Sequence, residues 1–201
     1  MQEGVIFDYG VGNLLSLKTA LEKAGLSTSI GTNAKDLVKA DAIALPGVGS
    51  FTAASSKLDS VKETLQTKIK DGTPLLGICL GLQLFFEESE EGSGNGLGFF
   101  KGKNVQLPNT VKVPHMGWNT LNIVKQNELF DGIAEGAYVY FVHSLFPVPK
   151  DKKIVCTTTQ YGTTFASAVA NKNIYGTQFH PEKSGDLGLK ILQNFVKTIV
   201  R

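Results

Sequence analysis

Arginine is almost missing from this chain. Of its 201 residues 20 are basic, yet Arg201 is the single arginine, and the formal net charge is only +2. Guanidinium forks are the usual grip on phosphates and guanine edges, so their scarcity argues against nucleic-acid recognition. Lysine pairs such as Lys152-Lys153 read as solvated faces. Cysteine is scarce as well: Cys79 and Cys156 are too few for a disulfide framework, and Cys156 reads as a buried strand residue. The apolar runs are too short to span a bilayer, and the N-terminus passes directly into a strand-like Gly4 to Phe7 without a signal-peptide pattern, which points to the cytosol. No repeat, low-complexity linker or metal-ligand cluster is evident, so neither a metal nor a cofactor is expected.

What remains is a composition of 42% hydrophobic and 19% charged residues, which suits one domain spanning 1–201. Strand-like Gly4 to Asp8, Ser27 to Thr32, Ala42 to Leu45 and Pro74 to Ile78 alternate with helical Asn13 to Ala24, Lys35 to Lys39 and Phe51 to Lys70. This β-α-β rhythm predicts an α/β fold, a mostly parallel sheet with helices on both faces. From Gly102 to Ile174 the pattern becomes β-rich, with expected strands at Lys103 to Leu107, Leu121 to Val124, Ala137 to Phe146, Lys153 to Thr159 and Phe165 to Ala170. These are read as antiparallel additions, and Asp186 to Val200 as the closing helix.

Gly77-Ile78-Cys79-Leu80-Gly81 joins the fourth strand to a helix expected at Leu80 to Glu87. Small residues on both sides of a nucleophile are what a tight strand-to-helix elbow requires. A thiol at that turn sits before a helix N-terminus, which favours thiolate. Downstream lies Gln178-Phe179-His180-Pro181-Glu182, where in an extended segment His180 and Glu182 face one way. Cys79, His180 and Glu182 thus supply nucleophile, base and orienting carboxylate. Leu45-Pro46-Gly47-Val48-Gly49 follows the third strand, and its backbone N–H groups around Val48 and Gly49, with that of Leu80, are candidate oxyanion donors. Glu91, in an acidic glycine-rich loop, and Gln83, one turn beyond Cys79, are candidates for holding the amino-acid head of a substrate.

In this order the three motifs resemble those of the class I, triad-type glutamine amidotransferases. The resemblance implies that Cys79 attacks the side-chain amide of glutamine, that His180 protonates the departing ammonia, and that a glutamyl thioester is then hydrolysed. It also implies glutamine contacts at Gly47, Gln83, Glu91, His143, Ser144 and Leu145. Phe7 to Asn13, Pro114 to Asn119, Tyr140 to Ser144 and Gln178 to Ser184 further resemble the glutaminase subunits of imidazole glycerol phosphate synthases. Such a subunit docks on a (β/α)₈-barrel cyclase that consumes the ammonia to make imidazole glycerol phosphate and aminoimidazole carboxamide ribonucleotide, in histidine biosynthesis. The resemblance puts Trp118, Tyr140 and Lys183 at the cleft mouth facing that partner. The glycines beside Val48 would permit a peptide flip that completes the oxyanion hole only when the partner carries its ligand. The same triad would also serve a stand-alone cysteine hydrolase of γ-glutamyl or peptide amides, or the glutaminase of another amidotransferase complex. His115 and His143 are not read as a second catalytic base.

Overall fold

The structure is a computed structural model and describes residues 2–10 and 12–199. Val11 in the first glycine-rich turn, Val200 at the expected end of the last helix and the lone Arg201 lie outside the described residues. In the first half, β1 (Glu3–Phe7), α1 (Leu14–Lys23), β2 (Ser27–Gly31), α2 (Ala34–Val38), β3 (Ala42–Leu45), α3 (Phe51–Asp59), α4 (Lys62–Lys70) and β4 (Leu75–Ile78) follow the expected alternation. A single turn, α5 (Leu80–Gln83), and β5 (Glu88–Ser89) come next. The second half holds β6 (Gly102–Gln106), β7 (His115–Thr120), β8 (Asn122–Ile123), β9 (Tyr138–His143), β10 (Leu145–Pro149), β11 (Val155–Tyr161), β12 (Thr163–Asn171), β13 (Ile174–Thr177) and α6 (Gly185–Thr198).

Eight strands form the main sheet in the order β2-β1-β3-β4-β13-β12-β11-β8. The first five run parallel and the last three join antiparallel. Strand side chains alternate between faces, so each parallel strand feeds two cores. Val5, Phe7, Ile43, Leu45 and Leu75 pack with Leu37 of α2, Phe51 and Leu58 of α3 and Leu65 of α4. Ile6, Ala42, Ala44, Leu76 and Ile78 pack with Leu17 and Leu21 of α1 and Ile191, Leu192 and Phe195 of α6. Helices therefore cover both faces, as the β-α-β rhythm requires. Among the described residues no helix is long and apolar enough to cross a membrane.

The register of β4 and β13 decides where chemistry can occur. Ile78 is the partner of Thr177, and the Cys79 N–H bonds the Thr177 carbonyl at 2.7 Å. Residues that follow these two strands, about a hundred positions apart in sequence, therefore leave the sheet side by side.

Three expected elements differ. The helix expected over Phe51 to Lys70 is broken at Ser60 and Val61, where Val61 takes φ −120° and ψ 2°. Both are weak helix formers, and Ser60 Oγ bonds back to the Lys57 carbonyl at 3.0 Å, competing with the helical ladder. The elbow helix stops at Gln83 rather than Glu87. Phe85 and Phe86 are both fully buried, and the carbonyls of Leu84 and Phe85 accept from the N–H groups of Leu97 and Phe100 in the following loop. Finally, Ala137 to Phe146 is two strands: β9 pairs with β7, whereas β10 pairs with β6 in another sheet, and the chain changes partner at Ser144. Strand β7 falls where the sequence suggested only a motif.

Candidate active site

Cys79 links β4 to α5 with φ 52° and ψ −102°, a backbone conformation that side-chain-bearing residues rarely adopt and that surrounding structure must enforce. The enforcement is steric. A Cβ on Gly81 would lie 2.1 Å from the Leu45 carbonyl oxygen, and one on Gly47 would lie 1.7 Å from the Ile78 carbonyl oxygen. The end of β3 and the elbow thus touch backbone to backbone, which only glycine permits. Tyr9, buried beyond β1, donates to the Pro46 carbonyl and ties the turn after β3 in place. Its phenol is held well above the usual range by burial, then by Cys79 and Asp8.

His180 follows β13. Its N–H bonds the Tyr140 carbonyl at 2.9 Å, and Ser184 Oγ donates to the His180 carbonyl at 2.7 Å while accepting from the Tyr140 N–H at 3.0 Å. His180 Nδ1 meets Glu182 Oε1 at 2.7 Å, with both side chains buried. The two do not share a strand face as expected. Pro181–Lys183 is a 3₁₀ turn, and its curl brings the carboxylate back to the ring. Burial alone would push His180 below the normal imidazole value. Hydrogen bonding and charge from Cys79 and Glu182 outweigh that and raise it to about 10. Nε2 has no hydrogen-bond partner of ordinary geometry, so the Cys79 contribution is a matter of proximity.

A cleft of about 470 Å³ opens over Cys79, and Val48, Gly49, Leu80, Gln83, Glu91, His143, Ser144 and Leu145 line it. The structure thus brings together nine of the candidates from four separate segments. Leu80 is the first residue of α5, so its N–H has no acceptor within the helix. Gly49 takes φ +134°, a region open to glycine. Gly47, His180 and Glu182 do not line the cleft over Cys79 but border a hollow of about 40 Å³, and Val48 lines both spaces. Glu91 borders the cleft and also caps α3, its Oε2 accepting the Phe51 N–H at 2.9 Å where Ser50 offers no side-chain cap.

Two features escaped the sequence reading. His115 and His143 are register partners across β7 and β9, with Nδ1 of the first 3.0 Å from Nε2 of the second. His143 Nδ1 lies 2.9 Å from the Leu145 carbonyl, which can only accept, so Nδ1–H donates there and Nε2 accepts from His115. Burial lowers His115 to about 4 and, foremost among its causes, His143 to about 3, so both rings are neutral near pH 7. The pair braces the wall that carries Ser144 and Leu145. Had β7 been recognised, period-two alternation would have paired these histidines. The second feature is Gln178, fully buried, whose Nε2 lies 3.4 Å from Cys79 Sγ.

Trp118, Tyr140 and Lys183 form one cluster: Trp118 and Tyr140 stack edge-on at 5.9 Å, and Lys183 Nζ lies 5.9 Å from the Tyr140 ring centre. Trp118 is 56% exposed, and alternation along β7 and β9 sets Met116 and Tyr138, each 62% exposed, on the same outer face. Cys156 sits in β11, fully buried, and burial pushes its thiol up to about 11. Both cysteines are free. Among the described residues no group of three or more His, Cys, Asp and Glu side chains could hold a metal ion.

Residues 5–199 match the family Glutamine amidotransferase class-I. Imidazole glycerol phosphate synthase subunit HisH of Pyrococcus furiosus is 50% identical over 197 residues, covering 97% of this chain and 98% of its own length. Its counterpart of the same name in Methanothermobacter thermautotrophicus is 47% identical over 195 residues, covering 96% and 98%. Among solved structures, PurLQS from Thermotoga maritima shares the fold with a TM-score of 0.79 at 20% identity, over 98% of both chains. A glutamine amidotransferase crystal structure aligns over the whole of both chains with a TM-score of 0.75 at 16% identity.

Proposed function

The chain belongs to the class-I glutamine amidotransferases, among the subunit HisH proteins of imidazole glycerol phosphate synthase, and from that membership we infer that it hydrolyses glutamine and passes the ammonia to a cyclase subunit. The whole of 1–201 acts as one amidotransferase domain, a reading supported by the two cores that share a single sheet. It works in the cytoplasm, needs no cofactor, and contributes the glutaminase half of a histidine-pathway reaction. The cyclase, a (β/α)₈ barrel, uses the ammonia to form imidazole glycerol phosphate and aminoimidazole carboxamide ribonucleotide.

The observation that carries the reading is the exit of Cys79 and His180 from register-paired strand ends, with Glu182 on the far side of the imidazole. Glutamine lies in the cleft with its amino-acid head toward Glu91, Gln83 and the backbone of Ser144 and Leu145, and its amide over Cys79. The thiol proton resides on His180, whose value of about 10 keeps the ring protonated at neutral pH, and the sulfur attacks the amide carbon. Glu182 holds Nδ1–H and stabilises the imidazolium so formed. The carbonyl oxygen gathers charge and is met by N–H groups of Leu80 and of Val48 or Gly49. When the tetrahedral adduct collapses, the C–N bond breaks and His180 returns the proton to nitrogen, releasing ammonia and leaving a glutamyl thioester. Water, deprotonated by the same imidazole, then cleaves the thioester to glutamate and restores the thiol.

Ammonia that escapes to water at neutral pH is mostly protonated and no longer a nucleophile, which is the physical reason for a docked consumer. The exposed aromatic face of Met116, Trp118, Tyr138 and Tyr140, with Lys183 at its edge, is the docking surface this reading assigns to the cyclase. A flip of the peptide at Val48, one of whose glycine neighbours holds a positive φ, completes the oxyanion hole when the partner is loaded. The test mixes the purified chain with cyclase and measures glutamate release with and without the nucleotide substrate. Release should rise when both are present and vanish in Cys79→Ala. A rate unchanged by cyclase and nucleotide would remove the gated partnership, and activity surviving Cys79→Ala would remove the nucleophile.

A further inference from the structure

We propose that Gln178 is a further catalytic residue, whose side-chain amide donates a hydrogen bond to the sulfur of Cys79 and holds the attacking thiolate, in an orientation that Gln83 fixes. The proposal rests on Cys79 being the nucleophile and adds what stabilises it.

Gln178 is wholly buried, and its Nε2 stands 3.4 Å from Sγ. The direction of this contact is set from outside it. Gln83 Nε2 lies 2.9 Å from the Leu145 carbonyl and 3.2 Å from Gln178 Oε1. A backbone carbonyl can only accept, so the end of Gln83 that faces Leu145 must be its NH₂ group. That group's second N–H then points to Gln178 Oε1, which leaves the Gln178 NH₂ facing the sulfur. Turning the Gln178 amide over would set two NH₂ groups against each other inside a buried space. The backbone holds the pair in place too: the Gln178 N–H bonds the Ser167 carbonyl at 2.8 Å, and the Cys79 N–H bonds the Thr177 carbonyl at 2.7 Å. Amide and sulfur are therefore positioned by adjacent strands of one sheet.

An N–H aimed at sulfur favours the anion over the thiol. The opposing influence is the Val142 carbonyl, 3.6 Å from Sγ, which is placed to accept a thiol proton. The helix behind the elbow is a single turn of four residues, so its dipole gives Cys79 little of the help that a longer helix would. Gln178 supplies a donor in its stead.

The experiment uses the full chain and compares wild type with Gln178→Leu and with Gln178→Met, which keeps the length of the side chain but lacks the donor. Iodoacetamide alkylation of Cys79 is followed by peptide mapping from pH 6 to pH 10, with Cys156 as the internal reference, and kcat and KM for glutamine are measured with the cyclase and its nucleotide substrate present. The ionisable groups coupled to the sulfur, His180 and Tyr9, are untouched in both variants. Both variants should alkylate Cys79 roughly tenfold more slowly at pH 7. Their kcat should fall in parallel with KM nearly unchanged. An alkylation profile identical to wild type overturns the proposal, even if kcat drops, because Gln178 would then act only as packing. Should the Leu variant fail to fold, the Met variant decides. If the wild-type chain with cyclase and the nucleotide substrate releases no glutamate, the functional reading fails, while the alkylation profiles still decide the role of Gln178.

Discussion

His180 holds its proton far above an ordinary imidazole because Cys79 and Glu182 together outweigh the burial that would strip it. The sign of the linkage follows. A histidine raised from about 6.5 in the unfolded chain to about 10 in the native one adds stability that is complete below the lower value and is lost as pH climbs through the upper. Thermal unfolding measured from pH 6 to pH 10.5 should therefore show a decline in wild type that is blunted in His180→Gln. Equal declines in the two would mean that the imidazole is not held in this way. At this scale the sequence was legible where chemistry demands particular residue types: Cys79 between glycines, and His180 two positions before Glu182. It was illegible where a role depends on a partner remote in sequence. Gln178 stood inside a motif that had been read, yet its amide acquires meaning only from Gln83 and the Leu145 carbonyl. Gly47 depends on a remote partner too: its lack of a side chain permits the joint against the Ile78 carbonyl.

The elbow works because β3, β4 and α5 meet without side chains between them. Gly81→Ala puts a methyl 2.1 Å from the Leu45 carbonyl oxygen, and that oxygen cannot retreat without disturbing β3. Overpacking against backbone should cost about 3 kcal/mol or more, read as a lower denaturation midpoint, and should displace Cys79 enough to abolish glutaminase activity. A variant as stable and active as wild type would contradict this packing. The parallel elements of the first half were legible because each strand is a short apolar run bounded by turn residues, with an amphipathic helix after it. The helix break at Ser60 and Val61 was not, since two weak helix formers inside an apolar periodicity leave no stop signal of the usual kind. The second half was read less well. Ala137 to Phe146 has the composition of one strand, but its change of partner at Ser144 is decided by β6 and β7, which lie in other parts of the chain.

Across the whole molecule, β7 and β9 form a plate with two functions. Its inner face carries the neutral His115–His143 pair, which supports the wall of the cleft through Leu145, and its outer face presents Trp118 and Tyr140. An exposed tryptophan against a half-buried tyrosine, beside a lysine, is the composition of an interface anchor, so Trp118→Ala should weaken cyclase binding by about 2 kcal/mol, roughly thirtyfold, while leaving the melting temperature of the isolated chain nearly unchanged. Calorimetric titration checks this, and unaltered affinity would move the docking surface elsewhere. Narrower than the partnership is the role of Cys79, whose sulfur, served by His180 and Glu182, breaks the amide of glutamine. It is tested most directly by treating the chain, bound to cyclase and nucleotide, with a chloroketone analogue of glutamine and mapping the adduct by mass spectrometry. A single adduct on Cys79 is expected, one that excess glutamine prevents and that His180→Asn slows at least tenfold. Labelling of Cys156 at an equal rate, or labelling of Cys79 indifferent to glutamine, would contradict it.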